Sequence, residues 1–214
     1  RMSLLAALVI GAPLRVLFLG NSHTQFNDVP KLVAALGRER GRPISTVSRS
    51  GPTLYDMYGD PQIRNAVSSG LYEMIVLQAQ AISTSHRFTY SNKEAIALAK
   101  AGKQAGAKVF LFSEWPRRGV DETAYIEGIY KKISDASGAK IIPVGRVWDA
   151  VLREQRGLQL WAQDGNHASP LGSRAAAFAI YRALTQDKEA GFPTLDLGKD
   201  QAALFWKASG IVLE

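Results

Sequence analysis

Five short apolar runs, separated by stretches of helical periodicity, constrain this chain more than any other feature of its sequence. They are residues 14–19 (LRVLFL), 44–47 (ISTV), 74–77 (MIVL), 108–112 (KVFLF) and 141–144 (IIPV). Near-continuous apolar runs of this length suit strands buried on both faces, which is the condition of a parallel sheet covered by helices. The intervening segments read as those helices. Asn27 or Asp28 caps one with Pro30 in its first turn and a stripe of Leu32, Val33 and Leu36, closed by Gly41. Others are expected over 61–69, 92–104, 121–137 and 147–155, and the last starts at Ser169-Pro170 and runs to Leu184. Right-handed crossovers then give a doubly wound α/β fold, three layers α/β/α around a five-stranded parallel sheet. No repeat or linker interrupts the pattern, so 14–214 reads as one domain. Its tail from Glu189 onward wraps the same core through Leu204, Phe205 and Trp206.

With 46% hydrophobic and 21% charged residues, the chain can bury a sizeable core. It has no cysteine, which excludes a disulfide scaffold, a thiolate nucleophile and a cysteine-ligated metal site. The net charge of +7 comes from dispersed residues such as Arg38, Arg40, Arg42, Arg117, Arg118, Lys131 and Lys132. No basic run is interleaved with aromatics, so no nucleic-acid partner is expected. The three histidines His23, His86 and His167 are far apart and lack helical pairing, so neither metal nor cofactor is expected. Residues 1–13 form an apolar N-terminal segment behind Arg1, similar to the hydrophobic part of a secretory signal and too short to span a bilayer. That favours export, periplasmic or secreted, over the cytoplasm.

In open parallel sheets the ligand crevice lies beyond the carboxyl ends of the strands. The loops there hold Gly20-Asn21-Ser22-His23-Thr24, Ser50-Gly51-Pro52-Thr53, Gln78-Ala79-Gln80, Glu114-Trp115-Pro116-Arg117 and Asp164-Gly165-Asn166-His167. A serine hydroxyl hardly ionises at neutral pH and needs an adjacent base, most often histidine. Ser22 offers the hydroxyl. His23, its neighbour in sequence, is expected to point elsewhere, and His86 has no obvious partner, which leaves His167 as the base. Asp164, three residues earlier, can reach the far ring nitrogen, fix the tautomer and stabilise the imidazolium.

The run Val16-Leu17-Phe18-Leu19-Gly20-Asn21-Ser22-His23-Thr24 resembles the first block of the SGNH hydrolases, the GDSL-type esterases and lipases. Asp164-Gly165-Asn166-His167 resembles their last block, Asp-x-x-His. The resemblance implies a flavodoxin-like three-layer fold and a triad of Ser22, His167 and Asp164. It also implies an oxyanion hole made by the N–H groups of Ser22 and Gly51 together with a side-chain amide. Two departures stand out. Asn21 replaces the usual Asp of the first block, and the third block, usually Gly-x-Asn-Asp, reads Gln78-Ala79-Gln80-Ala81. Alignment of the blocks makes Gln80 the amide donor, with Gln78 as the fallback.

The implied activity is a metal-independent serine esterase acting on carboxylic esters, with short acyl groups such as acetyl, on a small alcohol or a carbohydrate. Gln78, Trp115 and Trp161 are candidates for the substrate wall, and Arg117 stands near enough to meet an anionic group or to face water. An ordinary α/β-hydrolase is disfavoured by the lack of a G-x-S-x-G elbow, and no G-x-G-x-x-G or Walker loop occurs. Two readings of other classes stay open. One is a non-catalytic SGNH-like carbohydrate-binding module, suggested by the altered third block; the other is a flavodoxin-like phosphate or nucleotide binder using the 20–24 loop.

Overall fold

The structure, a computed structural model, describes residues 11–213. Of the expected N-terminal segment, residues 1–10 therefore lie outside the described residues. The strands are β1 Leu14–Gly20, β2 Ile44–Ser50, β3 Met74–Leu77, β4 Lys108–Ser113 and β5 Lys140–Pro143. All pair in parallel, in the order β2-β1-β3-β4-β5. The chain leaves β1 for one edge and returns beyond it for β3, so the crevice where strand order reverses opens between the loops after β1 and β3.

Alternation along each strand divides the core between the two faces of the sheet. Val16 and Phe18 of β1 face the same side as Val76, Phe110 and Phe112. They pack against α2 Val29–Glu39, α7 Val144–Glu154, α8 Pro170–Thr185 and α9 Lys199–Leu213. Leu17 and Leu19 face the other side with Ile75, Leu77 and Leu111, under α3 Leu54–Gly59, α4 Pro61–Ser68, α5 Lys93–Gln104 and α6 Thr123–Ser137. Burying a large apolar side chain contributes about 1.5–3 kcal/mol, and both faces are filled with them.

Two elements differ from the sequence expectation. A one-turn helix, α1 Ser22–Gln25, follows β1 where only a loop was expected; the Asn21 side chain caps it by accepting from His23 N. α3 occupies the stretch after Gly51-Pro52, capped by Thr53, whose hydroxyl accepts from Asp56 N. The tail does wrap the core, as α9, with Phe205 fully buried. Among the described residues no helix is long and apolar enough to cross a membrane.

Candidate active site

Gly20 ends β1 at a point where no side chain fits. A Cβ there would lie 2.1 Å from Thr24 Oγ1 and 2.8 Å from Gln78 Oε1. That space is taken by the bonds that shape the next turn. Gln78 Oε1 accepts from Asn21 N at 3.0 Å and from Thr24 Oγ1 at 2.8 Å. The chain is thereby bent so that Ser22 opens α1 with its side chain exposed.

His167 is presented from the other end of the chain by a turn closed on itself. Asp164 Oδ1 accepts from Asn166 N at 2.8 Å and from His167 N at 2.9 Å, and Gly165 takes the left-handed conformation (φ +71°) that the turn requires. Ser169 then caps α8, its hydroxyl accepting from Gly172 N. Asn27 Nδ2 joins the two ends of the chain, donating to Ala168 O at 3.1 Å and Ser173 Oγ at 2.9 Å.

These supports bring three expected residues together. His167 Nδ1 lies 2.6 Å from Asp164 Oδ2, and His167 Nε2 lies 2.8 Å from Ser22 Oγ. With the ring neutral, Nδ1–H donates to the carboxylate and Nε2 accepts from the serine hydroxyl. The hydrogen bond from His167, followed by those from the two backbone N–H groups, holds the Asp164 carboxyl well below the usual carboxylate range. It stays an anion while its side chain remains half exposed.

The expected amide donors are placed differently. Gln80 Nε2 donates to Ser91 O at 3.0 Å and more weakly to Ala81 O at 3.4 Å, so the amide is tied to the segment that follows β3. Gln78 is fully buried beneath the turn that carries Ser22 and props it through its oxygen, without lining the neighbouring cavity. The Gly51 N–H donates to Gly20 O at 3.2 Å, because β2 continues to Ser50 and its pairing with β1 carries past the apolar run. Of the two backbone donors proposed for the oxyanion, the Ser22 N–H has no acceptor among the described residues.

Both tryptophans are anchored by partners of their own, Trp115 within the wall of the neighbouring cavity. Trp115 is 2% exposed, stacks on Trp148 at 4.6 Å, and donates from Nε1 to Asn166 O at 2.9 Å. Trp161 meets Trp148 edge-on at 5.2 Å and donates from Nε1 to Pro116 O at 2.8 Å. Arg118 adds bonds from its N to Gly165 O and from Nη2 to Gln163 O, at 2.8 and 2.6 Å. The loop after β4 therefore grips the 163–166 turn, and both tryptophans serve that grip. Arg117 is not free for an anionic substrate: its Nε and Nη2 bond Glu122 at 2.9 and 2.8 Å, and Nη2 also bonds Thr84 O.

His23, expected from the sequence to point elsewhere, lies against the His167 ring. Its ring lies 5.0 Å from that of Trp115 and 5.5 Å from that of His167, with Nδ1 buried and without a partner. Burial, aided by the nearby His167, pushes it down to about 4, so near neutrality it is a neutral spacer beside the His167 imidazole. A cavity of about 360 Å³ adjoins these groups, lined among others by Asn21, His23, Thr53, Glu114, Trp115 and Asn166. That is within the size range of small-molecule sites. No cluster of three or more metal-ligating side chains occurs among the described residues.

No family model matches the chain, and no curated protein matches it. Solved structures do. A protein from Slackia heliotrinireducens described as a candidate SGNH hydrolase shares 24% identity and a TM-score of 0.62, over 80% of this chain and 98% of that one. A DUF4886 family protein from Bacteroides uniformis gives 16% and 0.67, over 94% and 95% of the two chains. An acetyl xylan esterase from Geobacillus stearothermophilus gives 17% and 0.64, over 85% and 99%. The fold of this chain is the SGNH hydrolase fold.

Proposed function

We propose that this chain, with its SGNH hydrolase fold, is a serine esterase in which residues 14–214 act as one catalytic domain. The observation that carries the reading is the continuous hydrogen-bonded path from Asp164 through His167 to Ser22. In such an arrangement His167 Nε2 takes the hydroxyl proton as Ser22 Oγ attacks the ester carbonyl. Asp164 stabilises the imidazolium, and the proton passes to the departing alcohol as the tetrahedral intermediate collapses to an acyl-enzyme. Water then attacks the acyl-enzyme, with His167 again as base.

The Ser22 N–H serves the developing oxyanion, and Gly51 N–H joins it by giving up its long bond to Gly20 O. Losing one donor of such a hole typically costs about a hundred- to a thousand-fold in turnover. With Gln80 engaged elsewhere, modest turnover is expected. The adjoining cavity of about 360 Å³ suits a short acyl group on a small alcohol or sugar better than a long lipid.

The test is hydrolysis of p-nitrophenyl acetate by the purified protein and its Ser22→Ala variant. Ser22→Ala is expected to fall to the buffer rate with its circular dichroism unchanged. An unchanged rate would remove Ser22 from the reaction.

A further inference from the structure

The turn that carries Ser22 also carries two rings that meet the imidazole of His167. His23 lies in α1 and Phe26 caps its end, three residues on, so both project from one face of the turn. The His23 ring centroid lies 5.5 Å from that of His167 and the Phe26 centroid 5.1 Å from it, both rings tilted. His23 is backed in turn by Trp115 at 5.0 Å, and Trp115 by Trp148 at 4.6 Å. Phe26 has no such backing. It is 47% exposed, and His167 is its one ring partner among the described residues. Its backbone is pinned on both sides. The Phe26 N–H donates to Ser22 O at 2.8 Å, which closes the turn on Ser22 itself. Asn27, the next residue, donates from Nδ2 at 3.1 Å to the carbonyl of Ala168, the residue after His167. The Phe26 and His167 rings are thus held together by main-chain ties as well as by their own contact.

We propose, building on the esterase reading, that Phe26 is a positioning residue for the reaction, its ring and that of His23 keeping the His167 imidazole aligned between Ser22 Oγ and Asp164. Hydrogen bonds hold the imidazole at two atoms, Nδ1 through Asp164 and Nε2 through Ser22. They restrain its tilt about the line between those atoms only weakly, and the last torsion of a histidine side chain is soft. Neighbouring rings supply the missing restraint. It matters most in the second half of the reaction. Once Ser22 Oγ carries the acyl group it has no hydrogen to donate to Nε2, and of the two bonds only the one to Asp164 remains while the ring activates water. An imidazole that tilts there turns its lone pair away from the water it must deprotonate, and small misplacements of a reacting group are costly. The exposure of Phe26 fits this role. It leaves apolar area in water, which is unfavourable, and it does not line the neighbouring cavity of about 360 Å³.

The experiment measures kcat and KM for p-nitrophenyl acetate with the wild type, Phe26→Ala and Phe26→Tyr, alongside the Tm of each. Phe26→Ala is expected to lower kcat about tenfold with KM unchanged or lower, since an acyl-enzyme that hydrolyses slowly accumulates. Phe26→Tyr, which keeps the ring, should restore most of the rate. An unchanged kcat in Phe26→Ala overturns the proposal: with a lowered Tm the ring is structural, and with a raised KM it belongs to the substrate wall. An equal loss of kcat in both variants overturns it too, because one of them retains the ring. In each of these cases hydrolysis by the wild type leaves the esterase reading standing. A wild type that does not hydrolyse the ester removes the reading and the proposal together.

Discussion

His167 Nε2 and Ser22 Oγ, 145 positions apart in the chain, stand 2.8 Å from each other. The contact depends on two supports built independently, the turn propped by Gln78 and the turn closed by Asp164. Asp164→Asn tests the second. An Asn keeps the oxygen that accepts from Asn166 N and His167 N, so the turn should survive, but its amide cannot accept from Nδ1–H. Turnover is expected to fall about a thousand-fold or more with Tm changed little. Steady-state kinetics and thermal melting check this, and a loss under tenfold would leave Asp164 with a structural role only.

Gln80→Ala separates two accounts of the third block. An oxyanion donor at this position would cost about a hundred- to a thousand-fold in kcat when removed. The bond from Gln80 Nε2 to Ser91 O predicts a loss below about tenfold. Gln78→Leu should be far more damaging, because it leaves Asn21 N and Thr24 Oγ1 without their shared acceptor. A stability loss of about 3 kcal/mol is expected from two unpaired groups, read by urea unfolding.

Trp115→Phe tests the grip on the turn that carries His167. Phe keeps a ring against Trp148 but cannot donate to Asn166 O. The expected result is a kcat about tenfold lower with KM nearly unchanged, and a stability cost of about 1 kcal/mol. A KM effect alone would return Trp115 to the substrate wall.

How far the sequence reached is clearest at these same residues. The alternation of apolar runs with helical stripes made the layers and strands readable, since burial on both faces leaves a strand little choice of side chain. The proximity of Ser22, Asp164 and His167 was readable because Ser22 follows a predicted strand and the 164–167 turn precedes the helix predicted at Ser169-Pro170. Gln80 was not, because its rotamer is set by a carbonyl at Ser91, inside a segment without regular structure. The bond from Gly51 N–H to Gly20 O was not, because β2 continues through polar, partly exposed residues that lack the apolar signature of a strand. The anchoring of the two tryptophans was not readable for a similar reason: residue type announces an indole but not which carbonyl its N–H will find. α3 did leave a signal, the Thr53-x-x-Asp56 cap, behind the more obvious Gly51-Pro52.

Two buried groups give opposite pH dependences of stability. His23 titrates near 6.5 when unfolded and near 4 when folded, so the unfolded chain binds the extra proton and stability drops as pH falls through that window. Glu114 titrates near 4.5 unfolded and about 7 folded, so the folded state holds the extra proton and stability drops as pH rises from 4.5 through 7. Between pH 5 and 6.5 the two slopes oppose each other. Glu114→Gln should therefore make Tm rise more steeply with pH over this range than in the wild type, and His23→Phe should make it fall. Identical Tm profiles for all three proteins would contradict both burial arguments.

The central claim is that Ser22 is a nucleophile activated by His167. The most direct measurement is mass spectrometry of the peptide modified by a fluorophosphonate, in the wild type and in His167→Ala. The account predicts a single adduct on Ser22 in the wild type, formed at least a hundred-fold more slowly in His167→Ala. An unmodified Ser22 after prolonged exposure, or equal labelling in both proteins, would contradict it.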